Sequence, residues 1–525
     1  MTRRDCDVLI IGAGAAGGVL AATLSEQSSL DIVLVEKGGY FGAEFFNQRE
    51  LDMRVLYAKR NERSTADGAI VVRGGECVGG GTTVNYALCL NPVRRVWDGW
   101  KRDVGLEGFS FDERASDYGI PGLNLTRALT EVRHRINVHS ASDEEVNDNN
   151  RIFERGCRAL GITTKRFELN MDRCLECGFC GQGCAYDRKM GTMITYIADA
   201  LERGVQLIHH CDIDHLIFRS TAGTPTVVGA RGRVRPTRQG SRPNSVSPGA
   251  IEIGAKVVIV CSGAIESPVL LFRSGHPDPH MVIGKGLVLH PSLPIIGIMD
   301  DVITNYRGID STVYSDHFLE SHHILFLGIF GHPVFGSAIL PGFGVEHFNT
   351  MRAYTRSAAF GASVFDSVDL ANRVEWVPAQ GKSFIHYRLG DGDRERFRFA
   401  AQKGVEILFA AGAREVLLPS EEPIGPLPAP RFRDARQARY CRELRFAPHL
   451  TTITSAHCQA TVKMGEDRRR SVVNSRGESH AVRNLLVCDS SVFPTSCGAS
   501  PMLSVMTMAR YQGTRLVAER ARYGL

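Results

Sequence analysis

Residues 7–18 read DVLIIGAGAAGG, in which an apolar run leads directly into a cluster of glycines. The run has the length of a buried strand, and the alanine-rich pattern over residues 19–25 predicts a helix. A second apolar strand over Ile32–Val35 ends in Glu36, about 20 residues beyond the glycines. The spacing G-x-G-x-x-G is filled by Gly12, Gly14 and Gly17. The stretch therefore predicts a Rossmann-like βαβ unit that binds a dinucleotide.

Each part of this fingerprint has a physical role. Gly12 makes the tight turn, Gly14 lets a pyrophosphate approach the backbone, and Gly17 allows the helix to pack closely on the strand. The first N–H groups of the helix are free to bind the pyrophosphate. The Glu36 carboxylate is expected to accept hydrogen bonds from ribose hydroxyls. The candidate cofactor-binding residues of this unit are Gly12, Gly14, Ala15, Ala16, Gly17, Glu36 and Lys37.

The composition is that of a large globular protein. The 525 residues are 43% hydrophobic and 23% charged, which excludes a disordered, collagen-like or coiled-coil chain. The formal net charge of +5 is too small over this length to indicate a nucleic-acid-binding surface. No apolar run approaches the roughly 18 residues that a membrane-spanning helix needs. We therefore expect no nucleic-acid partner and no membrane span.

The N-terminus and the cysteines indicate the compartment. The first apolar run is shorter than the ~7–15 residues of a signal-peptide core. The 14 cysteines are scattered without the framework of a small disulfide-rich domain, a pattern typical of free thiols in a reducing compartment. These observations predict a cytoplasmic protein.

Two segments farther along the chain carry a family resemblance. Residues 75–85 read GECVGGGTTVN, and residues 263–275 read GAIESPVLLFRSG after an apolar strand. They resemble the two signatures of the glucose–methanol–choline (GMC) flavoprotein oxidoreductases, although Glu76 stands where that family usually has Arg or Lys. The resemblance implies bound FAD, with candidate contacts from Gly80, Gly81, Thr82, Asn85 and Ala264.

The C-terminal part resembles the region of the family that carries the chemistry. Residues 457–465, HCQATVKMG, are similar to the stretch whose His is the catalytic base, with Ala460 in place of a glycine. Residues 484–494 are similar to the strand whose Asp contacts the flavin, which implies cofactor contacts from Asp489 and Ser490. Residues 498–503, GASPML, precede the last helix, and the resemblance places Pro501 and Met502 beside the flavin.

Two residues are predicted to be catalytic. The resemblance assigns the base to His457. Ser500 stands where relatives carry His or Asn as the second catalytic group, and its hydroxyl is suited to donate a hydrogen bond to an alkoxide. The alternative role of Ser500 is a helix N-cap, which serine fills well.

The resemblance implies FAD-dependent oxidation of an alcohol to a carbonyl compound. Flavin N5 takes the hydride from carbon, and His457 takes the proton from oxygen. The electron acceptor is O2 or a redox partner, so oxidase and dehydrogenase both stay open. Two alternatives remain: a non-redox or decarboxylating enzyme with the same fold, and a flavin-free binding protein.

Acidic residues near the predicted pocket segments bear on the substrate. They favour a polar alcohol, carbohydrate-like or aminoglycoside, because a cationic group would bind to carboxylates. These residues are Glu44, Glu50, Asp52, Asp316 and Glu346. The alternative is a long-chain or sterol alcohol.

A run of four cysteines is the strongest departure from an ordinary enzyme sequence. Cys174, Cys177, Cys180 and Cys184 have the spacing C-x2-C-x2-C-x3-C of a ferredoxin cluster, although Ala185 replaces the usual proline. Some GMC branches, long-chain alcohol oxidases among them, have a similar Cys- and Gly-rich turn. We favour structural free thiols over an iron–sulfur or other metal site, and over a disulfide or redox-active thiols.

The chain is predicted to form an α/β protein, α+β overall, of two interleaved domains. A Rossmann-like FAD-binding domain takes residues 1–100, 190–295 and 450–525, and residues 101–189 form an excursion that covers the flavin and holds the Cys-rich turn. An antiparallel-sheet substrate domain takes residues 296–449. Residues 222–249, rich in Arg, Pro, Ser and Gly, are expected to be a surface loop.

Overall fold

A computed structural model describes residues 2–220 and 223–525. Met1, the first residue of the predicted FAD-binding domain, and residues 221 and 222 lie outside this description. The strands are β1 Thr2–Ile11, β2 Ile32–Val35, β3 Ile70–Val72, β4 Leu88–Cys89, β5 Val138–Ser140, β6 Lys165–Arg166, β7 Glu168–Asn170, β8 Gln206–Ile208, β9 Cys211–Arg219, β10 Thr226–Val234, β11 Gly249–Val260, β12 Ser292–Ile298, β13 Val313–Ser315, β14 Ile324–Gly328, β15 Ser357–Val364, β16 Arg373–Val377, β17 Lys382–His386, β18 Glu415–Leu417, β19 Arg431–Phe432, β20 Ile453–Ser455 and β21 Leu485–Val487.

The helices follow the same chain order. They are α1 Ala15–Gln27, α2 Gly81–Val84, α3 Arg94–Val104, α4 Leu125–Arg135, α5 Asp148–Ala159, α6 Tyr196–Glu202, α7 Gly263–Arg273, α8 Leu319–His322, α9 Pro333–Ile339, α10 Gly344–Arg352, α11 Asp391–Ala410 and α12 Met502–Ala518. No helix in the two described ranges combines the length and apolar character needed to cross a membrane.

The first sheet is built around the N-terminal strand. Strands β8, β2, β1, β11 and β21 pair in that order, all parallel, and β10 and β9 extend the sheet antiparallel from β11. Residues 8–11 of β1 and all of β2 are buried, as expected for strands covered on both faces. Helix α1 packs against α6 and α12. This half confirms the predicted Rossmann-like architecture.

The second sheet is largely antiparallel. Its order is β19, β18, β12, β15, β14, β13 and β6, and β20 joins β12 and pairs parallel with β3. Helices α5 and α11 pack on it. The α/β fold class with a second, antiparallel sheet is therefore confirmed. Strands β3, β6 and β20 come from outside residues 296–449, and the domain boundaries stay a prediction.

The region predicted as a surface loop contains regular structure. Strand β10 occupies Thr226–Val234 and pairs with β9 and β11, so only the residues after it form a loop. The expectation of a loop over residues 222–249 is wrong for β10, because its Gly and Arg residues hide the strand pattern. Gly229 has a φ of +149°, and a Cβ there would lie 2.1 Å from the Ile253 carbonyl oxygen. Residue 222 itself lies outside the described residues.

Candidate active site

A cavity of about 500 Å³ is lined by residues of both sheets. One side is formed by the turn after β1, the end of β2, α2 and the starts of α7 and α12. The other side is formed by β12, β14, β15 and the segment around α9. The cavity thus lies where the carboxyl ends of the parallel strands β1, β2 and β11 meet the second sheet.

The glycines of the first turn have no room for side chains. Gly12 has a φ of +110°, and a Cβ on it would lie 2.4 Å from the Cys261 carbonyl oxygen. A Cβ on Gly17 would lie 1.9 Å from the Gly12 carbonyl oxygen, so the helix packs directly on the strand. A Cβ on Gly80 would lie 2.8 Å from the Gly14 Cα atom. The two glycine segments therefore approach each other backbone to backbone.

The same cradle fits the pyrophosphate of FAD. Helix α1 has no side-chain cap, so its first N–H groups lie free at the cavity. A Cβ added at Gly81 or at Gly263 would meet no atom within 4 Å, which leaves open space along both segments. Backbone donors beside open space suit an anionic group that lies flat against the chain.

Glu36 holds the glycine turn. One carboxylate oxygen accepts a hydrogen bond from the Ala13 N–H (2.9 Å), and the other accepts one from the Gly38 N–H (2.9 Å). Burial raises the pKa of Glu36 to about 7. Glu36 lines the cavity, so its remaining lone pairs face the position predicted for the ribose.

Glu76, which stands where the family usually has Arg or Lys, lies beside other charged side chains. The Lys37 ammonium lies 3.6 Å from a Glu76 oxygen and 3.8 Å from a Glu266 oxygen. The Arg63 guanidinium lies 3.8 Å from the other Glu266 oxygen. The nearby Glu266 carboxylate raises the pKa of Lys37. Lys37, which follows β2, therefore places a cation beside Glu76.

The remaining predicted cofactor residues join the ends of separate elements. The Asp489 carboxylate accepts hydrogen bonds from the Gly263 N–H (2.9 Å), the Ser267 hydroxyl (2.6 Å) and the Ser491 N–H (2.7 Å). Thr82 donates to the Gly79 carbonyl oxygen (2.7 Å). The Asn85 amide lies 3.0 Å from the Met502 sulfur. These contacts bring α2, α7, β21 and α12 to one wall of the cavity.

His457 lies half-buried on the cavity wall. Burial lowers the pKa of His457 to about 4, so the imidazole is neutral at ordinary pH. Its ring lies 5.5 Å from the buried His290 ring, centre to centre, at 86°. The sequence analysis assigned no role to His290, and the structure brings it beside the predicted base.

A hydrogen-bond network fixes the backbone around His457. The Gln459 side-chain N–H₂ donates to the His457 carbonyl oxygen (3.1 Å) and lies 3.1 Å from His290 Nε2. The Gln459 oxygen accepts a hydrogen bond from the Cys497 N–H (3.0 Å). His290 Nε2 also lies 2.6 Å from the Ser496 hydroxyl. Gln459 and His290 therefore join the His457 segment to the one that leads to Ser500.

Ser500 lies half-buried on the same cavity wall. The residue that caps α12 is Pro501, and no side chain accepts a hydrogen bond from the first turn. The structure thus gives no support to the alternative role of Ser500 as an N-cap. Its hydroxyl lines the cavity beside the N-terminus of a 17-residue helix.

The far side of the cavity is largely apolar, with the polar side chains of Ser292, Asn305, Tyr354, Ser357 and Ser363 among its lining residues. Its lining from the second sheet and the following segments includes Ile296, Leu325, Leu327, Ile329, Phe330, Phe335, Ile339, Leu340 and Phe365. No single segment of sequence indicates this surface, because its residues come from several elements and each resembles ordinary core.

None of the five acidic residues that favoured a cationic substrate lines this cavity. Glu44 pairs with Arg242, Asp316 with Lys165 and Glu346 with Arg431. Glu50 accepts hydrogen bonds from the N–H groups of residues 334 and 335, and Asp52 accepts one from the Asn47 amide. These five carboxylates therefore give no support to a cationic substrate, because they form hydrogen bonds and ion pairs with the surrounding structure.

The four-cysteine run lies apart, around a second, small cavity. All four cysteines are free thiols, and the backbone N–H of Arg188 donates to the Cys184 sulfur (3.2 Å). Within residues 2–220 and 223–525, no group of three or more His, Cys, Asp or Glu side chains has the arrangement of a metal site. Metal analysis of the purified protein distinguishes an iron–sulfur cluster from free thiols.

The structure brings almost every predicted site residue to the main cavity. The lining residues are Gly12, Gly14, Ala15, Ala16, Glu36, Lys37, Gly80, Gly81, Thr82, Asn85, Ala264, His457, Asp489, Ser490, Ser500, Pro501 and Met502. Gly17 lies behind the turn, where it makes the helix–strand contact. The roles of these residues toward a cofactor or a substrate stay predictions.

Comparison with known proteins gives matches along most of the chain. Two family models, both described as GMC oxidoreductase, match residues 6–292 and 371–509. A GMC-type oxidoreductase of Mycobacterium tuberculosis is 28% identical over 519 residues, 98% of this chain and 76% of the relative. A long-chain-alcohol oxidase of Arabidopsis thaliana is 27% identical over 549 residues, 98% of this chain and 68% of the relative.

Solved structures share the fold. Pyridoxine 4-oxidase from Mesorbium loti has a TM-score of 0.66 at 18% identity, over 97% of this chain and 99% of that chain. A formate oxidase variant from Aspergillus oryzae, solved to study FAD modification, has a TM-score of 0.70 at 14% identity, over 100% of both chains.

Proposed function

This chain belongs to the GMC oxidoreductase family of FAD-dependent enzymes, and from that premise we propose that it oxidises an alcohol with a long apolar body. The apolar lining of the cavity beyond His457 carries the proposal. An apolar chain gains free energy when it leaves water for such a surface. The similarity to a long-chain-alcohol oxidase supports the same substrate class.

We assign the proton transfer to His457. Because burial lowers its pKa to about 4, the imidazole is neutral and has a nitrogen free to accept the proton of the alcohol oxygen. The network of Gln459 and His290 holds the backbone of this base in place. When bound, FAD supplies the acceptor for the hydride that leaves the alcohol carbon.

We assign the stabilisation of the alcohol oxygen to Ser500 and the start of α12. As the proton leaves, negative charge develops on this oxygen, and a hydroxyl donor lowers the free energy of that state. The N-terminus of α12 adds the positive end of a helix dipole on the same wall. The Ser500 hydroxyl is too weak an acid to act as the base unaided, so it serves as a donor.

Alcohols that differ only in chain length test this proposal. We expect kcat/KM to rise from butanol to dodecanol and to be negligible for sorbitol, because each methylene is buried in the cavity. Ala359 lines the apolar side, so Ala359→Leu should lower kcat/KM for dodecanol while butanol is oxidised as before. Sorbitol oxidised faster than dodecanol would overturn the proposal in favour of a polar substrate.

A further inference from the structure

The floor of the cavity is one face of three neighbouring strands, β12, β15 and β14. Strand β15 pairs antiparallel with both of the others. The residues that line the cavity are spaced by two or four along each strand, as expected for side chains that point to the same face of a sheet. They are Ser292, Pro294 and Ile296 of β12, Ser357, Ala359 and Ser363 of β15, and Leu325 and Leu327 of β14. The register of the strands therefore gives positions along the cavity.

His457 lies at the end of this floor that holds Ser292. Ser292 pairs antiparallel with Thr454 of β20. The Gln459 N–H then donates to the Val288 carbonyl oxygen (2.9 Å), so the segment after β20 runs antiparallel to the segment before β12. His457 belongs to this segment, and the proposed base therefore lies just beyond the Ser292 end of the floor.

The opposite end of the floor is marked by Ser357. It pairs with Ile298, which is six residues from Ser292 along β12. At the usual rise per residue of a strand, the two ends lie about 20 Å apart. An alcohol whose hydroxyl lies beside His457 therefore extends over an apolar surface toward Ser357. The residues of this surface are Pro294, Ile296, Leu327 and Ala359.

Asn305 lines the cavity at the Ser357 end. Its side-chain N–H₂ donates to the Ser357 hydroxyl oxygen (2.9 Å), and that hydroxyl donates to the Tyr354 carbonyl oxygen (2.7 Å). Because the Ser357 proton is used on Tyr354, the amide nitrogen of Asn305 must be the atom that faces Ser357. Asn305 is only 2% exposed, and within the part of the chain that the structure describes its Oδ1 atom has no hydrogen-bond partner.

The free oxygen of Asn305 calls for a neutral donor. A buried carbonyl oxygen without a donor is destabilising, and a ligand that brings one removes this cost. A carboxylate has no proton to donate. A buried ammonium group would need a carboxylate partner, and the acidic residues that line the cavity lie on the side of the predicted cofactor. They are Glu36, Glu76, Asp212, Glu266 and Asp489. A hydroxyl group therefore fits the Asn305 end of the cavity best.

We propose that Asn305 determines the substrate by accepting a hydrogen bond from a second hydroxyl at the far end of the alkyl chain, so that the preferred substrates are long-chain α,ω-diols. The inference rests on the proposed function, because it requires the first hydroxyl to lie beside His457. The polar ends and the apolar middle of the floor match a molecule with two hydroxyls separated by methylene groups. Asn305 holds the unreacting hydroxyl about 20 Å from the end of the floor where the other is oxidised.

Diols and alcohols of equal chain length test the proposal on the FAD-loaded protein. We expect kcat/KM for 1,12-dodecanediol to exceed that for dodecanol by at least about fivefold, since one hydrogen bond adds to the about twofold advantage of two identical ends. The ratio for 1,4-butanediol and butanol should stay at about two, because the short diol cannot reach from His457 to Asn305. A ratio for the long pair no higher than that for the short pair would overturn the proposal.

Two variants assign the effect to one atom. Asn305→Leu removes the acceptor at similar volume and should lower the ratio of dodecanediol to dodecanol to about two or less. Leu327→Met is the matched control in the apolar middle of the floor, and it should change both substrates by the same factor. An unchanged ratio in Asn305→Leu would overturn the proposal, as would a preference for 12-hydroxydodecanoate over the diol. If Asn305→Leu does not fold, the wild-type ratios of the long and short pairs decide.

Failure of the proposed function would look different from failure of this inference. Dodecanol oxidised without any preference for the diol would overturn only the role of Asn305. No oxidation of dodecanol or butanol would overturn the proposed function itself.

Discussion

The residue to which we assign the proton transfer is His457, and a single substitution tests this proposal. We expect His457→Ala to retain FAD and to slow flavin reduction by roughly 10²–10⁴-fold, the usual contribution of a general base. Stopped-flow mixing with the alcohol under anaerobic conditions measures this step directly. His290→Ala is the useful comparison, because it removes the neighbouring ring and keeps the imidazole of the proposed base. Flavin reduction at the wild-type rate in His457→Ala would remove this residue from the mechanism.

The pH dependence of the same step follows from the pKa of His457, which burial lowers to about 4. The base accepts a proton only when neutral, so the rate should be constant above about pH 5 and fall below about pH 4. The rate falls toward low pH because protonation of the His457 imidazole removes the proton acceptor. The rate of flavin reduction over pH 3.5–8 checks the prediction. An acid limb near the ordinary histidine pKa of ~6.5 would contradict it.

Ala460 stands where the family has glycine, and its backbone conformation is one that glycine adopts readily. It has a φ of +71° and is fully buried, in a position where relatives carry glycine. We expect Ala460→Gly to stay within about 1 kcal/mol of wild-type stability, because relief of the left-handed strain offsets the lost methyl group. Ala460→Val should lose at least about 2 kcal/mol, because a β-branched side chain is poorly accommodated at this φ. Thermal unfolding compares them, and equal stability of the two variants would contradict this explanation.

At the scale of elements, Lys189 joins the Cys-rich turn to the segment that follows α2. Its buried ammonium donates to the carbonyl oxygens of Thr83 (2.7 Å), Asn85 (2.8 Å) and Cys180 (2.6 Å). We expect Lys189→Met to cost at least about 2 kcal/mol, since three buried carbonyls lose their donor. FAD content after desalting should fall as well, because Asn85 lines the cavity. Lys382→Met on the exposed β17 is the control, and unchanged stability and FAD content in Lys189→Met would contradict this role.

The elements differ in how far the sequence predicts them. The turn after β1 could be predicted from the spacing of its glycines. The structure explains this spacing, because any side chain at Gly12 or Gly17 would clash with the backbone. The position of His457 was predictable only through the family resemblance, since one histidine in a loop carries no geometric signal. Gln459 lies within the quoted motif of residues 457–465, but its contact with His290 is visible only in the tertiary structure. Strand β10 was missed because Gly and Arg residues interrupt its apolar alternation.

At the scale of the whole molecule, the substrate side was beyond sequence reasoning for a physical reason. Ile296, Leu327 and Ile339 lie on three elements, and in sequence each reads as core. The packing of the second sheet brings these three side chains together on the cavity wall. The apolar surface therefore exists only in the folded protein. The acidic residues could not indicate the substrate, because their positions relative to the cavity are not visible in the sequence. Carboxylates such as Glu50 and Asp316 form hydrogen bonds and ion pairs outside the cavity.

The interleaved chain also makes the two sheets depend on each other. Strands β3 and β20 belong to the second sheet, although they precede and follow segments of the first. The cavity between these parts is lined by residues of both sheets.

The central claim is that FAD accepts a hydride from an apolar alcohol beside His457. Anaerobic stopped-flow absorbance of the wild-type protein with dodecanol, and separately with sorbitol at the same concentration, tests it most directly. We expect dodecanol to bleach the yellow flavin band in one fast phase in the dark and sorbitol to leave it unchanged. A flavin band that no alcohol bleaches, or one that sorbitol bleaches faster than dodecanol, would show that the cavity does not oxidise an apolar alcohol.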